Sequence, residues 1–135
     1  MEITAALVAN HAEIEGDKLY VSGGAWAWMQ VPAFPQQLLV QLAMVIVSEP
    51  DEQIPDVLIR IFVLDPGGVA TYGTELRAAW PRLETLKTGQ PVVMPVVMSV
   101  PVNAKKAGRH SLAIFLDDDG SSRRVVPFSI VAADS

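Results

Sequence analysis

Cysteine is absent from the 135 residues. That excludes a disulfide scaffold, a cysteine zinc site, an iron–sulfur cluster and a thiol nucleophile. Basic charge is scarce: ten Lys and Arg stand against fifteen Asp and Glu, for a formal net charge of −5. A nucleic-acid grip wants a basic surface, so that partner class is disfavoured. Charged residues make up only 19% of the chain and mean hydropathy is +0.31, which argues against disorder. No stretch reads as a membrane helix. The longest charge-free run, 19–48, is broken by Gly23, Gly24, Gln30, Pro32, Pro35, Gln36, Gln37 and Gln41. A secretory leader needs a basic start, whereas Glu2 comes second here and the first base is Lys18. The cytoplasm is the expected compartment.

What is there is strand pattern. A chain of this mass can bury roughly two-thirds of its surface, enough for one core, and no linker or repeat divides residues 1–135. Residues 2–9 and 18–24 alternate in hydropathy around a Glu15-Gly16-Asp17 turn and predict a β-hairpin. Pro32 and Pro35 make the next segment an irregular crossing or an edge. Residues 37–48 and 56–65 are long strands, apolar on both faces apart from Gln41 and Arg60. VATYGTELRAA (69–79) reads as a strand that loses regularity. A short helical turn near 82–87 is compatible with TELRAAWPRLETLK, although Pro81 interrupts it. In 91–102 the prolines Pro91, Pro95 and Pro101 share one parity, as on an edge strand. The final pair places Leu112, Ile114 and Leu116, and Val126, Phe128 and Ile130, toward a core. The fold class that follows is all-β: a single antiparallel β-sandwich of about seven or eight strands, close to immunoglobulin-like in size.

Three stretches carry a family likeness: TAALVANHAEIEGDKLYVSGGAW, LLVQLAMVIVSEPDEQIPDVLIRIFVLDPGG and AGRHSLAIFLDDDGSSRRVVPFSIV. They resemble an uncharacterised bacterial family of small β proteins. Its members open on an alanine- and leucine-rich strand, a turn like Asp-His-Ala and a Gly-Gly-x-Trp segment. The matching residues are Asn10-His11-Ala12, with Asn10 in place of the usual acid, and Gly23-Gly24-Ala25-Trp26. The resemblance implies a small bacterial β protein with no assigned activity and no catalytic residue.

Candidate sites are few. His11 precedes Glu13 and Glu15, but His110 is distant and no HxH or HxxxH spacing exists. A hydrolase built on His11 is the remotest reading, and a hydrogen-bonded turn histidine the plainest. Asp117, Asp119 and Ser121 alternate as in a cation loop, but no closing Glu follows, so the segment reads as a turn. No metal or cofactor is expected. Trp26, Trp28 and Trp80 are the binding candidates, with Trp26 and Trp28 at one parity as a platform for a sugar or small ligand. Lys105-Lys106 and Arg123-Arg124 read as solvated pairs in turns.

The leading expectation is a non-enzymatic interaction or assembly domain, pairing with a second copy or another protein. Its motive is surplus apolar surface, with Leu39, Val45, Val47, Ile59 and Ile61 as interface candidates. That second face should be covered by the segment around Trp80 or by another chain. The alternative is a small-ligand or carbohydrate-binding module using Trp26 and Trp28.

Overall fold

Period-two alternation between Gly, Pro and Asp turns yields nine strands. They are β1 (Glu2–Glu15), β2 (Lys18–Gly24), β3 (Trp28–Val31), β4 (Gln36–Ser48), β5 (Asp56–Leu64), β6 (Ala70–Ala79), β7 (Val92–Ala104), β8 (Gly108–Leu116) and β9 (Arg123–Ala132). The structure, a computed structural model, describes residues 1–16, 18–25, 27–48, 56–79, 92–116 and 123–133. Four strands form one sheet in the order β2-β1-β4-β7, and five form a second in the order β3-β9-β8-β5-β6. The expected β-sandwich is therefore present, with nine strands among the described residues. Among the described residues no helix forms, and none is long and apolar enough to cross a membrane.

Both layers place one parity of each strand into a shared core. From the first sheet come Val40, Leu42, Met44 and Ile46 of β4, and Met94, Val96, Val100 and Val102 of β7. From the second come Val57, Ile59, Ile61 and Val63 of β5, Leu112, Ile114 and Leu116 of β8, and Val126, Phe128 and Ile130 of β9. The β7 prolines behave as their parity demands. β7 is an edge strand, and Pro95 and Pro101 lie opposite Val45 and Leu39 of β4 without interrupting a thirteen-residue ladder. An edge strand has one side where a missing amide costs no ladder bond.

Three local expectations need correction. First, the pairing is not antiparallel throughout: Trp28–Val31, an edge strand as the prolines suggest, pairs parallel with Ser129–Ala132, beside six antiparallel pairings among the described residues. Parallel neighbours need a long connection rather than a helix as such, and here the intervening strands provide it. Pro32–Pro35 then leads the chain back to the other sheet. Second, β6 stays regular to Ala79, with Thr74, Leu76 and Ala78 half-buried in alternation. Third, Asn10-His11-Ala12 lies inside β1 and not in a turn. The helical turn considered near 82–87 and the Asp117–Ser122 segment lie outside the described residues.

Where the sheets meet along one side, Arg124 acts as a latch instead of a solvated end. Its Nε and Nη2 donate to Ile3 O at 3.2 and 3.1 Å. The β1–β4 register shifts between Ile3 and Ala5, an irregularity of the bulge type that re-aims the backbone.

Candidate functional site

The outer faces of the two sheets are built from similar residues and end up in different states. On the four-stranded sheet, the outward parity of β4 carries Leu39, Gln41, Ala43, Val45 and Val47. Ala43 is nonetheless buried, in a small second cluster with Ala9 and Ala12, against which Leu7, Leu19 and Val97 pack. Two sequence-remote side chains explain it. Gln41 Oε1 accepts the Ala12 main-chain N–H at 3.0 Å, and Gln41 Nε2 donates to Ser99 Oγ at 3.0 Å. β2 also touches β7, although β1 and β4 stand between them in the sheet. The far end of the β1–β2 hairpin therefore arches over its own sheet. At Ala43 the cover comes from this chain's own hairpin rather than from the two expected sources, another chain or the Trp80 segment, the latter lying outside the described residues.

On the five-stranded sheet the exposed apolar positions gather at the β3–β9 edge, while Ala113 is buried and the β5 positions are half-buried. Its outward positions are Trp28 on β3, Val125, Pro127 and Val131 on β9, Ala113 and Phe115 on β8, and Leu58, Phe62 and Leu64 on β5. Trp28 is 60% exposed and Val125 45%. Phe62 and Phe115 meet edge to face, with centroids 5.9 Å apart and planes at 74°. Gly73 of β6 lies opposite Phe62, and a Cβ there would come within 3.0 Å of the Phe62 ring. The ring lies over bare backbone, where an added Cβ would press on it. Polar groups collect toward the β5–β6 margin. Arg77 Nη1 donates to Asp56 Oδ1 at 3.0 Å, and Arg60 Nε lies 3.8 Å from Glu75 Oε2.

Ile59 and Ile61, read as interface residues from sequence, are both 0% exposed in the core. Their parity on β5 is the inward one, and the outward parity belongs to Leu58, Arg60, Phe62 and Leu64. Asp56 and Arg60 mark that outward parity in the sequence, a signal that the alternation of Val and Ile hides. Leu39 is 73% exposed, and Val45 and Val47 are half-buried on the self-covered sheet.

Trp28 also borders a cleft of about 340 Å³ with Asn10, Gly23, Gly24 and Met29. The hairpin register explains this meeting, since Ala9 pairs with Gly24 and His11 with Ser22, placing Asn10 opposite Gly23. Trp26 and Trp80 lie outside the described residues, so the tandem indole platform has one described member. His11 is exposed, its Nε2 3.8 Å from Glu13 Oε2, and His110 sits buried elsewhere. The two histidines are not brought together. Among the described residues no three His, Cys, Asp or Glu cluster in a way that could hold a metal ion. No family model matches the chain, and comparison with curated proteins likewise gives no match.

Proposed function

We propose that the protein is a non-catalytic assembly domain that pairs with a second copy of itself through the outer face of the five-stranded sheet. The observation that carries this reading is the open apolar surface formed by Trp28, Val125, Pro127 and Val131, continuous with Phe115 and Phe62. Five strands at about 4.8 Å spacing and about nine residues at about 3.4 Å rise give a face on the order of 700 Å². Two copies would bury about 1,400 Å², inside the standard range of about 1,200–2,000 Å² for specific complexes. A two-fold axis closes such a contact with one self-complementary surface and leaves no apolar face to propagate fibres. Sedimentation equilibrium tests it. Two chains per particle are expected in the micromolar range, and Val125→Glu should give a folded monomer. A wild-type mass of one chain across that range overturns the reading.

A second reading rests on the cleft beside Trp28. An exposed indole next to the Asn10 amide and unsubstituted glycine backbone suits a sugar ring, with one apolar face to stack and hydroxyls to bond. Quenching of indole fluorescence by an oligosaccharide, lost in Trp28→Ala, would favour it over self-association.

A further inference from the structure

At one end of the sandwich the β5–β6 turn meets the β7–β8 turn around a cavity of about 290 Å³. Lys105, Lys106, His110, Asn103, Thr71 and Asp65 line it. In a chain of net charge −5, two adjacent lysines over a cavity form a local cationic site, and Arg109 follows on β8.

Three features fix its shape. Gly108 has φ +143°, and a Cβ there would stand 2.8 Å from Pro66 Cγ. The two turns thus pack directly on each other, in a conformation that side-chain-bearing residues avoid. Asp65 Oδ1 accepts the N–H groups of Gly67 and Val69, each at 2.9 Å, and its own N–H donates to Val69 O at 2.9 Å. His110 is 3% exposed and lies stacked near Phe128, ring centroids 6.0 Å apart. Its Nδ1 stands 3.1 Å from Gly108 O, and since a carbonyl only accepts, Nδ1 carries the proton. In the neutral ring Nε2 is then an acceptor, and among the described residues no group engages it.

We infer that this cavity binds a small phosphate monoester that also carries hydroxyl groups. The donors and acceptors divide accordingly. Lys105, Lys106 and the Asn103 amide offer N–H groups to a phosphate bearing about −1.5 to −2 charges at neutral pH. His110 Nε2, the second Asp65 oxygen and Thr71 Oγ1 offer lone pairs. The Thr71 hydroxyl hydrogen is already directed at Val63 O, 3.3 Å away. Acceptors repel phosphate oxygens and welcome hydroxyl hydrogens. A bare inorganic anion uses only the first set, and a neutral polyol only the second. A cavity of this size holds a three- to four-carbon skeleton with one phosphate.

The test is an amide chemical-shift titration of the full chain with glycerol 3-phosphate, inorganic phosphate and glycerol. Glycerol 3-phosphate is expected to bind at least about tenfold more tightly than either of the others, as one charge-assisted hydrogen bond is worth about that. Shifts should centre on Gly67–Val69 and Lys105–Gly108. The Lys105→Ala, Lys106→Ala double variant changes only exposed side chains and should lose about tenfold or more. His110→Phe keeps a ring near Phe128 and should weaken glycerol 3-phosphate severalfold while leaving inorganic phosphate unchanged. Absence of binding, shifts centred elsewhere or a double variant that binds like wild type overturns the site. Inorganic phosphate binding as tightly as the monoester, or His110→Phe binding the monoester like wild type, overturns the ligand class.

Discussion

The two outer faces of the sandwich are matched in composition and opposed in fate. Val45, Val47 and Ala43 on β4 are no more apolar than Phe62, Leu58 and Leu64 on β5. Yet Ala43 is drawn under the arched end of the β1–β2 hairpin, while the β3–β9 edge of the other sheet keeps Trp28 and Val125 exposed. The difference lies in length and one amide. β1 runs fourteen residues, longer than its ladder with β4, so its end is free to curl back. Gln41 then receives the Ala12 N–H that the curl would otherwise strand. Apolar surface on a strand therefore does not by itself announce a partner; what matters is whether the chain has spare hairpin to lay over it.

The contrast can be sharpened by substitution. The largest effect should come from Ile61→Ala. As a core residue it should cost about 2–5 kcal/mol in chemical denaturation, and a loss confined to self-association would return Ile61 to the surface. Next, Ala43→Leu inserts bulk beneath the hairpin and should cost about 1–3 kcal/mol. A neutral result would mean that the hairpin does not press on β4. Gln41→Leu strands the Ala12 N–H and should cost about 1–2 kcal/mol, with faster hydrogen exchange at Ala12 as the local readout. Val125→Glu on the open face should change folding stability least, within about 0.5 kcal/mol, measured at concentrations where the protein is monomeric. If it instead destabilises like Ala43→Leu, the open face is covered from within and the two faces are alike.

Much of this architecture is legible in the residues. The proline parity of 91–102 marked an edge, and the alternation in 112–116 and 126–130 marked inward faces that the core confirms. The inward parity of β5 was harder, because valine and isoleucine occupy one face while leucine and phenylalanine occupy the other. When both faces are apolar, hydrophobic period gives the strand but not its orientation. The lone charges Asp56 and Arg60 then decide, since neither can enter a core unpaired at reasonable cost. The arching hairpin had no local signal, because its anchors, Ala12 and Gln41, are 29 residues apart. The cavity at the turns was hidden for the same reason. Lys105-Lys106 alone reads as a solvated pair, and only the packing of Gly108 on Pro66 brings His110 and Thr71 beside it.

The Arg124–Ile3 latch joins residues 121 positions apart, and among the described residues β3 pairs only with β9. During synthesis, the opening strands leave the ribosome long before either contact exists. Until residues 123–132 emerge, Trp28–Val31 lacks its β9 neighbour and one side of β8 is an unpaired template. Closing such distant pairs loses chain entropy before any contact repays it, which places folding in the slow, millisecond-to-second class of sandwich topologies. The nascent chain thus depends on residues 123–132 to hide a sheet edge, and stalling before residue 123 should leave a species prone to strand addition.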